Sequence, residues 1–148
     1  GYQHSVALDA EGNAWAWGRN NDGQLGDGST EGALVPVRVL MPEGVSFKVI
    51  AASEFHSVAL DAEGNAWAWG WNEGGQLGDG STEGALVPVR VLMPEGVSFK
   101  SIAAGQVHSL ALDEGGDVWS WGSDGFGQLG DGEVRENQRV PVRVVRSW

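Results

Sequence analysis

The chain contains no cysteine, which rules out disulfides and thiolate metal sites and leaves its redox compartment unreadable. It has no apolar run near the roughly 20 residues of a membrane-spanning helix. No secretory leader is visible at its start, although it opens inside a repeated unit and a leader would then lie upstream. Cations are scarce: 9 Lys and Arg against 20 Asp and Glu give a net charge of −11. Backbone recognition of nucleic acid needs clustered cations, so neither nucleic acid nor a membrane is expected as a partner. Arg135, Arg139, Arg143 and Arg146 gather near the C-terminus and read as a solvated edge. Proline is rare, and no stretch sustains a 3.6-residue apolar period, so almost no helix is expected.

What the chain has is glycine (24), tryptophan (8, against one tyrosine) and a repeat. His4-Ser-Val-Ala-Leu-Asp-Ala-Glu-Gly-Asn-Ala-Trp-Ala-Trp-Gly18 returns as His56–Gly70 and more loosely as His108–Gly122. Gly23-Gln-Leu-Gly-Asp-Gly28 returns at Gly75 and Gly127. The period is 52 residues, which divides the chain into units 1–52, 53–104 and 105–148. A period near 50 signals a solenoid, a propeller or an array.

Each unit reads as four short strands. His4–Leu8 alternates with period two, a turn follows at Asp9–Asn13, and Ala14–Gly18 alternates again. A glycine-punctuated loop leads to Val35–Leu40, whose Pro36 cannot donate to a ladder and so belongs on an edge. After a turn comes Phe47–Ala52, whose small Ala51 and Ala52 suit a crowded place. Four antiparallel strands per unit make one propeller blade. The expected blade carries bulky Trp, Val and Leu on one side and Ala and Ser on the other, so that neighbours pack large against small.

The pieces Ala103-Ala-Gly-Gln-Val-His-Ser-Leu-Ala-Leu112, Val118-Trp-Ser-Trp-Gly122 and Gly127-Gln-Leu-Gly-Asp-Gly132 resemble the regulator-of-chromosome-condensation repeat family. The resemblance implies an all-β propeller, usually of seven blades, with the Ala-Ala-Gly strand innermost and the Pro-containing strand outermost. Here it implies a three-blade segment whose first blade lacks its innermost strand, because only Phe47–Ala52 and Phe99–Ala104 are of that kind. Such a chain is expected either to form a homo-oligomeric ring or to be part of a longer propeller. The family includes an exchange factor for a small nuclear GTPase, a plant ultraviolet-B photoreceptor and a secreted β-lactamase inhibitor. In the photoreceptor, functional Trp and Arg precede the repeated His. The matching residues here are Tyr2-Gln3, Glu54-Phe55 and Gln106-Val107, which argues against photoreception.

No catalytic, cofactor or metal site is expected, and the chain reads as a non-enzyme. His4, His56 and His108 each precede a serine, but neighbours on a strand point to opposite faces, so Ser5 cannot use His4 as its base. The repeated histidine reads as a structural hydrogen-bonder. Asn20–Gly28 is Asp- and Gly-rich like a calcium loop, yet its would-be ligands are not kept, since the second repeat has Glu73-Gly-Gly and the third Gly125-Phe-Gly at the corresponding place. Its Gly-Asp-Gly reads as turn geometry.

The first two units are identical from His4 to Gly18 and from Gly23 to Lys48. They differ at Arg19/Trp71, Asn21/Glu73, Asp22/Gly74 and the pairs before His. Both variable clusters fall on loops at one end of the blades, and varied loops on a rigid scaffold are a common way to build a binding face. The expected function is therefore protein binding by a non-catalytic scaffold, with nucleotide exchange on a GTPase or inhibition of an enzyme as alternatives. The candidate face comprises Tyr2, Gln3, Arg19, Asn21, Asp22, Glu54, Phe55, Trp71, Glu73, Gln106, Val107, Asp124 and Phe126.

Overall fold

The computed structural model describes residues 3–123, 130 and 137–145. Three antiparallel sheets follow one another along the chain, with no helix among the described residues. The first holds β1 (His4–Leu8), β2 (Ala14–Gly18) and β3 (Ala33–Arg38). The second is ordered β4 (Phe47–Ala52), β5 (His56–Asp61), β6 (Ala66–Gly70), β7 (Ala85–Arg90). The third is ordered β8 (Phe99–Ala104), β9 (His108–Asp113), β10 (Val118–Ser123), β11 (Asn137–Arg143). β4 thus closes the first 52 residues in sequence but pairs into the second sheet. β4 contacts both β1 and β8, so the sheets converge along this inner edge as propeller blades do. The Pro-bearing strands β3, β7 and β11 form the outer edges. β3 begins and ends two residues before the stretch Val35–Leu40 expected from sequence.

The register corrects the expected face composition. Ser57 lies opposite Trp69, Ala59 opposite Trp67, Val58 opposite Ala68 and Leu60 opposite Ala66. Directly opposed residues share a face. Tryptophan therefore shares its face with Ser and Ala, while His56, Val58 and Leu60 share theirs with Ala66 and Ala68. Large still meets small between blades, because both faces mix the two sizes. Alternation within a strand gives only that strand's two faces, and the hairpin decides which of them coincide with the neighbour's.

Two cores lie between consecutive blades. In the first, Trp69 packs on Ala14, Ala16, Leu25 and Val39 of the preceding blade; in the second, Trp121 packs on Ala66, Ala68, Leu77 and Val91. Both indoles are fully buried. Each stacks on the inner-strand phenylalanine of its own blade: Phe47 on Trp69 and Phe99 on Trp121, with centroids 6.0 Å apart. The Gln-Leu-Gly loop of the preceding blade runs across the indole. A Cβ on Gly26, whose φ is +72°, would lie 2.7 Å from the Trp69 Nε1, and Gly78 meets Trp121 in the same way. Only glycine allows so close an approach with that backbone.

Candidate functional site

Polar links tie each blade to the next directly below the variable loops. Trp69 Nε1 and Ser57 Oγ both donate to the Gln24 carbonyl, at 3.0 and 2.9 Å. Trp121 Nε1 and Ser109 Oγ both donate to the Gln76 carbonyl at 2.9 Å. Because each serine hydrogen goes to a carbonyl, the histidine facing it must be the donor: His4 Nε2 gives to Ser57 Oγ at 2.9 Å, and His56 Nε2 to Ser109 Oγ at 3.0 Å. The structure pairs each histidine with the serine of the following blade, not with its sequence neighbour. His56 Nδ1 accepts from Ser53 Oγ at 2.8 Å. Burial, reinforced by the like charges His4 and His108 would carry, pushes His56 down to about 3. Burial also lowers His4 to about 4 and His108 below its ordinary value. All three rings are neutral at pH 7.

The loops above this layer are held from inside. Asn20 is fully buried; its Nδ2 donates to the carbonyls of Ser29 and Glu31, and its Oδ1 accepts from Leu25 N. Asn72 repeats the arrangement. Asp27 Oδ1 accepts from Ser29 N and Oγ, so this carboxylate serves the turn. The Gly-Asp-Gly segment is a rigid turn whose tips face outward.

At this end the two variable clusters meet as cross-strand pairs, one per blade. The main-chain N–H of Arg19 donates to Gln3 O, that of Trp71 to Phe55 O, and that of Ser123 to Val107 O. The side chains follow the backbone. Arg19 Nη1 donates to Gln3 Oε1. The Phe55 and Trp71 rings pack tilted, 5.3 Å apart, and both remain partly exposed. Gln106 Nε2 reaches back to Glu54 Oε2 at 2.7 Å, joining blades two and three. A shallow cavity of about 570 Å³ lies beside that bond, lined by Ser53, Glu54, Ala104 and Gln106. Asn21 and Glu73 are exposed at the loop tips, and Asp22 is half-buried, with its N–H on Gln24 Oε1. A Cβ on Gly74 would lie 3.5 Å from the Ser123 Cβ. The equivalent pair one blade earlier is Asp22 and Trp71, so Asp22 stands beside the aromatic pair. Tyr2, Asp124 and Phe126 lie outside the described residues.

The sequence reading counted Ser123, the partner of Val107, among the variable positions with Arg19 and Trp71 but left it off the candidate face, and it gave Gln24 and Gln76 no role in holding that face. The constant spacing of that glutamine was the available signal. Its main-chain oxygen does the work, however, and side-chain reading gives a carbonyl no weight.

The regulator of chromosome condensation (RCC1) repeat model matches residues 11–60, 63–112 and 115–147. The ultraviolet-B receptor UVR8 of Arabidopsis thaliana is 36% identical over 97% of this chain, which covers 32% of that protein. The mitochondrial RCC1 domain-containing protein RUG3 of the same plant is 37% identical over 95% of the chain, again covering 32% of the relative. The human E3 ubiquitin-protein ligase HERC2 is 34% identical over 94% of the chain, which spans 3% of it. Among solved structures, Prp20p of Saccharomyces cerevisiae superposes with a TM-score of 0.85 at 27% identity, covering 98% of this chain and 37% of Prp20p. Human WBSCR16 gives 0.86 at 27% identity, covering 97% and 36% respectively. The chain spans about a third or less of these relatives.

Proposed function

We propose that this chain, which belongs to the regulator of chromosome condensation (RCC1) repeat family, is a non-catalytic β-propeller scaffold that binds a protein partner through the loop end of its blades. One observation carries the reading. On two blades of otherwise near-identical sequence, the cross-strand pair at this end changes from Gln3–Arg19 to Phe55–Trp71, while the strands His4–Gly18 and His56–Gly70 that lead into it stay identical. A rigid frame with varied, partly exposed aromatic and arginine side chains has the composition of interface anchors. Prp20p, which shares the fold, is described by its binding to Gsp1p and histones, so protein recognition is at home on this architecture. Glu54 and Glu73 lie within two residues of the aromatic pair along the chain, whose net charge is −11, and the partner segment that fits them is cationic. The uncovered faces of the first and third blades call for further blades, from other copies or from the same polypeptide.

The test is the affinity of a partner isolated from the source organism, measured by calorimetry. Replacing Phe55 and Trp71 together by Ser should leave the unfolding midpoint nearly unchanged and weaken binding by about 2 kcal/mol or more. Unaltered affinity would place the interface elsewhere. If the partner is a GTPase, a fluorescent-nucleotide release assay on the same complex separates plain binding from exchange.

A further inference from the structure

Three partly exposed tryptophans of this chain each carry an arginine. The Arg38 guanidinium carbon stands 5.8 Å from the centre of the Trp15 ring, that of Arg90 5.8 Å from Trp67 and that of Arg143 5.9 Å from Trp119. A carboxylate completes each seat: Asp9, Asp61 and Asp113 accept the indole N–H at 3.0, 3.0 and 2.9 Å. A guanidinium is planar and weakly hydrated, so it stacks on the electron-rich face of an indole, and a carboxylate close by strengthens the contact.

Trp71 is partly exposed without one. It belongs to the middle blade, which has a neighbour on both sides, and it lies at the loop end, away from the faces by which blades stack. Phe55 packs tilted on it with centroids 5.3 Å apart, yet the indole still reaches solvent, and among the described residues no cation stands over it. Trp71 takes the place that Arg19 holds on the first blade, where Gln3 engages the guanidinium. Acid is at hand: Glu54 precedes Phe55, and Glu73 comes two residues after Trp71. The Glu54 carboxylate accepts from the neutral side-chain amide of Gln106, and Glu73 is exposed. Neither carboxylate is paired with a cation among the described residues.

We propose that the loop end seats an arginine of the protein partner, its guanidinium over the Trp71 indole and its charge met by Glu54 and Glu73. This deepens the reading of that end as a protein-binding face and rests on it. Arginine is the occupant because the chain itself places one over Trp15, Trp67 and Trp119. The loop residues beside the pair are acidic, and a net charge of −11 draws cationic segments from solution. A lysine brings the charge without the planar group, and an apolar side chain brings neither.

Fluorine NMR of the intact protein labelled with fluorotryptophan tests the seat directly, with acetyl-arginine amide as the probe. The Trp71 resonance, assigned through Trp71→Phe, should shift saturably. Acetyl-citrulline amide, which has nearly the same shape and no charge, should leave it in place, and acetyl-lysine amide should need a several-fold higher concentration. Trp67 and Trp119 are the controls, since Arg90 and Arg143 already occupy their rings. Replacing Glu54 and Glu73 together by Gln should weaken the arginine titration several-fold. A Trp71 resonance unmoved by the arginine probe, or moved equally by citrulline, overturns the proposal, as does an undiminished titration in the double Gln variant. Loss of the partner on replacing Phe55 and Trp71 by Ser, with no arginine shift at Trp71, fells this proposal and leaves the binding face standing. Unaltered partner affinity in that Ser variant fells both.

Discussion

At the scale of single residues, the repeated histidine shows how far side-chain logic reaches. Its structural role was legible, because an adjacent serine on a strand cannot be its partner. The true partner was not: the bond from His4 to Ser57 depends on how two blades stack. The same burial makes these residues acid-sensitive. A histidine held at about 3 or 4 in the fold, against 6.5 when unfolded, binds fewer protons folded than unfolded. Its stabilising contribution is complete above pH 6.5 and is lost as pH falls toward 4 and 3, at about 1.4 kcal/mol per unit of depression. Asp9 enters only at the acid end of that range. The Trp15 indole hydrogen bond holds its carboxyl below 3.8, so its contribution is lost only at lower pH. Denaturation midpoints should fall between pH 7 and pH 5, and His56→Gln should flatten that slope. An unchanged slope in the variant would remove His56 from the account.

At the scale of strands and sheets, the four strands of each unit followed from period-two alternation and turn chemistry, the edge place of the proline strand from its missing donor, and the innermost place of the Ala-Ala strand from the family resemblance. Face composition did not, because two alternating strands can be joined by a hairpin in either phase. The settled register gives Trp69 and Trp67 different fates within one strand. Trp69 is fully covered by the preceding blade, stacked on Phe47 and bonded to Gln24 O. Trp67 is partly exposed, its indole bonded to Asp61 within its own hairpin and Arg90 placed 5.8 Å over its ring. Trp69→Ala should cost roughly 3–5 kcal/mol, the range for a large buried aromatic. Trp67→Ala should cost clearly less. Equal losses in urea denaturation would mean that the inter-blade core does not carry the stability assigned to it.

At the scale of the whole molecule, a repeat that builds nearly the same blade each time makes its departures informative. The loop end was recognisable because Arg19/Trp71, Asn21/Glu73, Asp22/Gly74 and the pairs before His cluster there in repeats that are otherwise nearly identical. That Arg19 and Trp71 pair directly with Gln3 and Phe55 emerged only from the folded register, and Phe126 lies outside the described residues. Trp71 sits at one end of the blades, while Trp67 and Trp119 sit by the Asp61 and Asp113 turns at the other, and all three are partly exposed. This provides an internal control. Hydroxyl-radical footprinting of the chain with and without its bound partner, read by mass spectrometry, should show Trp71 and Phe55 protected while Trp67 and Trp119 oxidise at their free rates. Protection at Trp67 and Trp119 with Trp71 unchanged would contradict a binding face at the loop end.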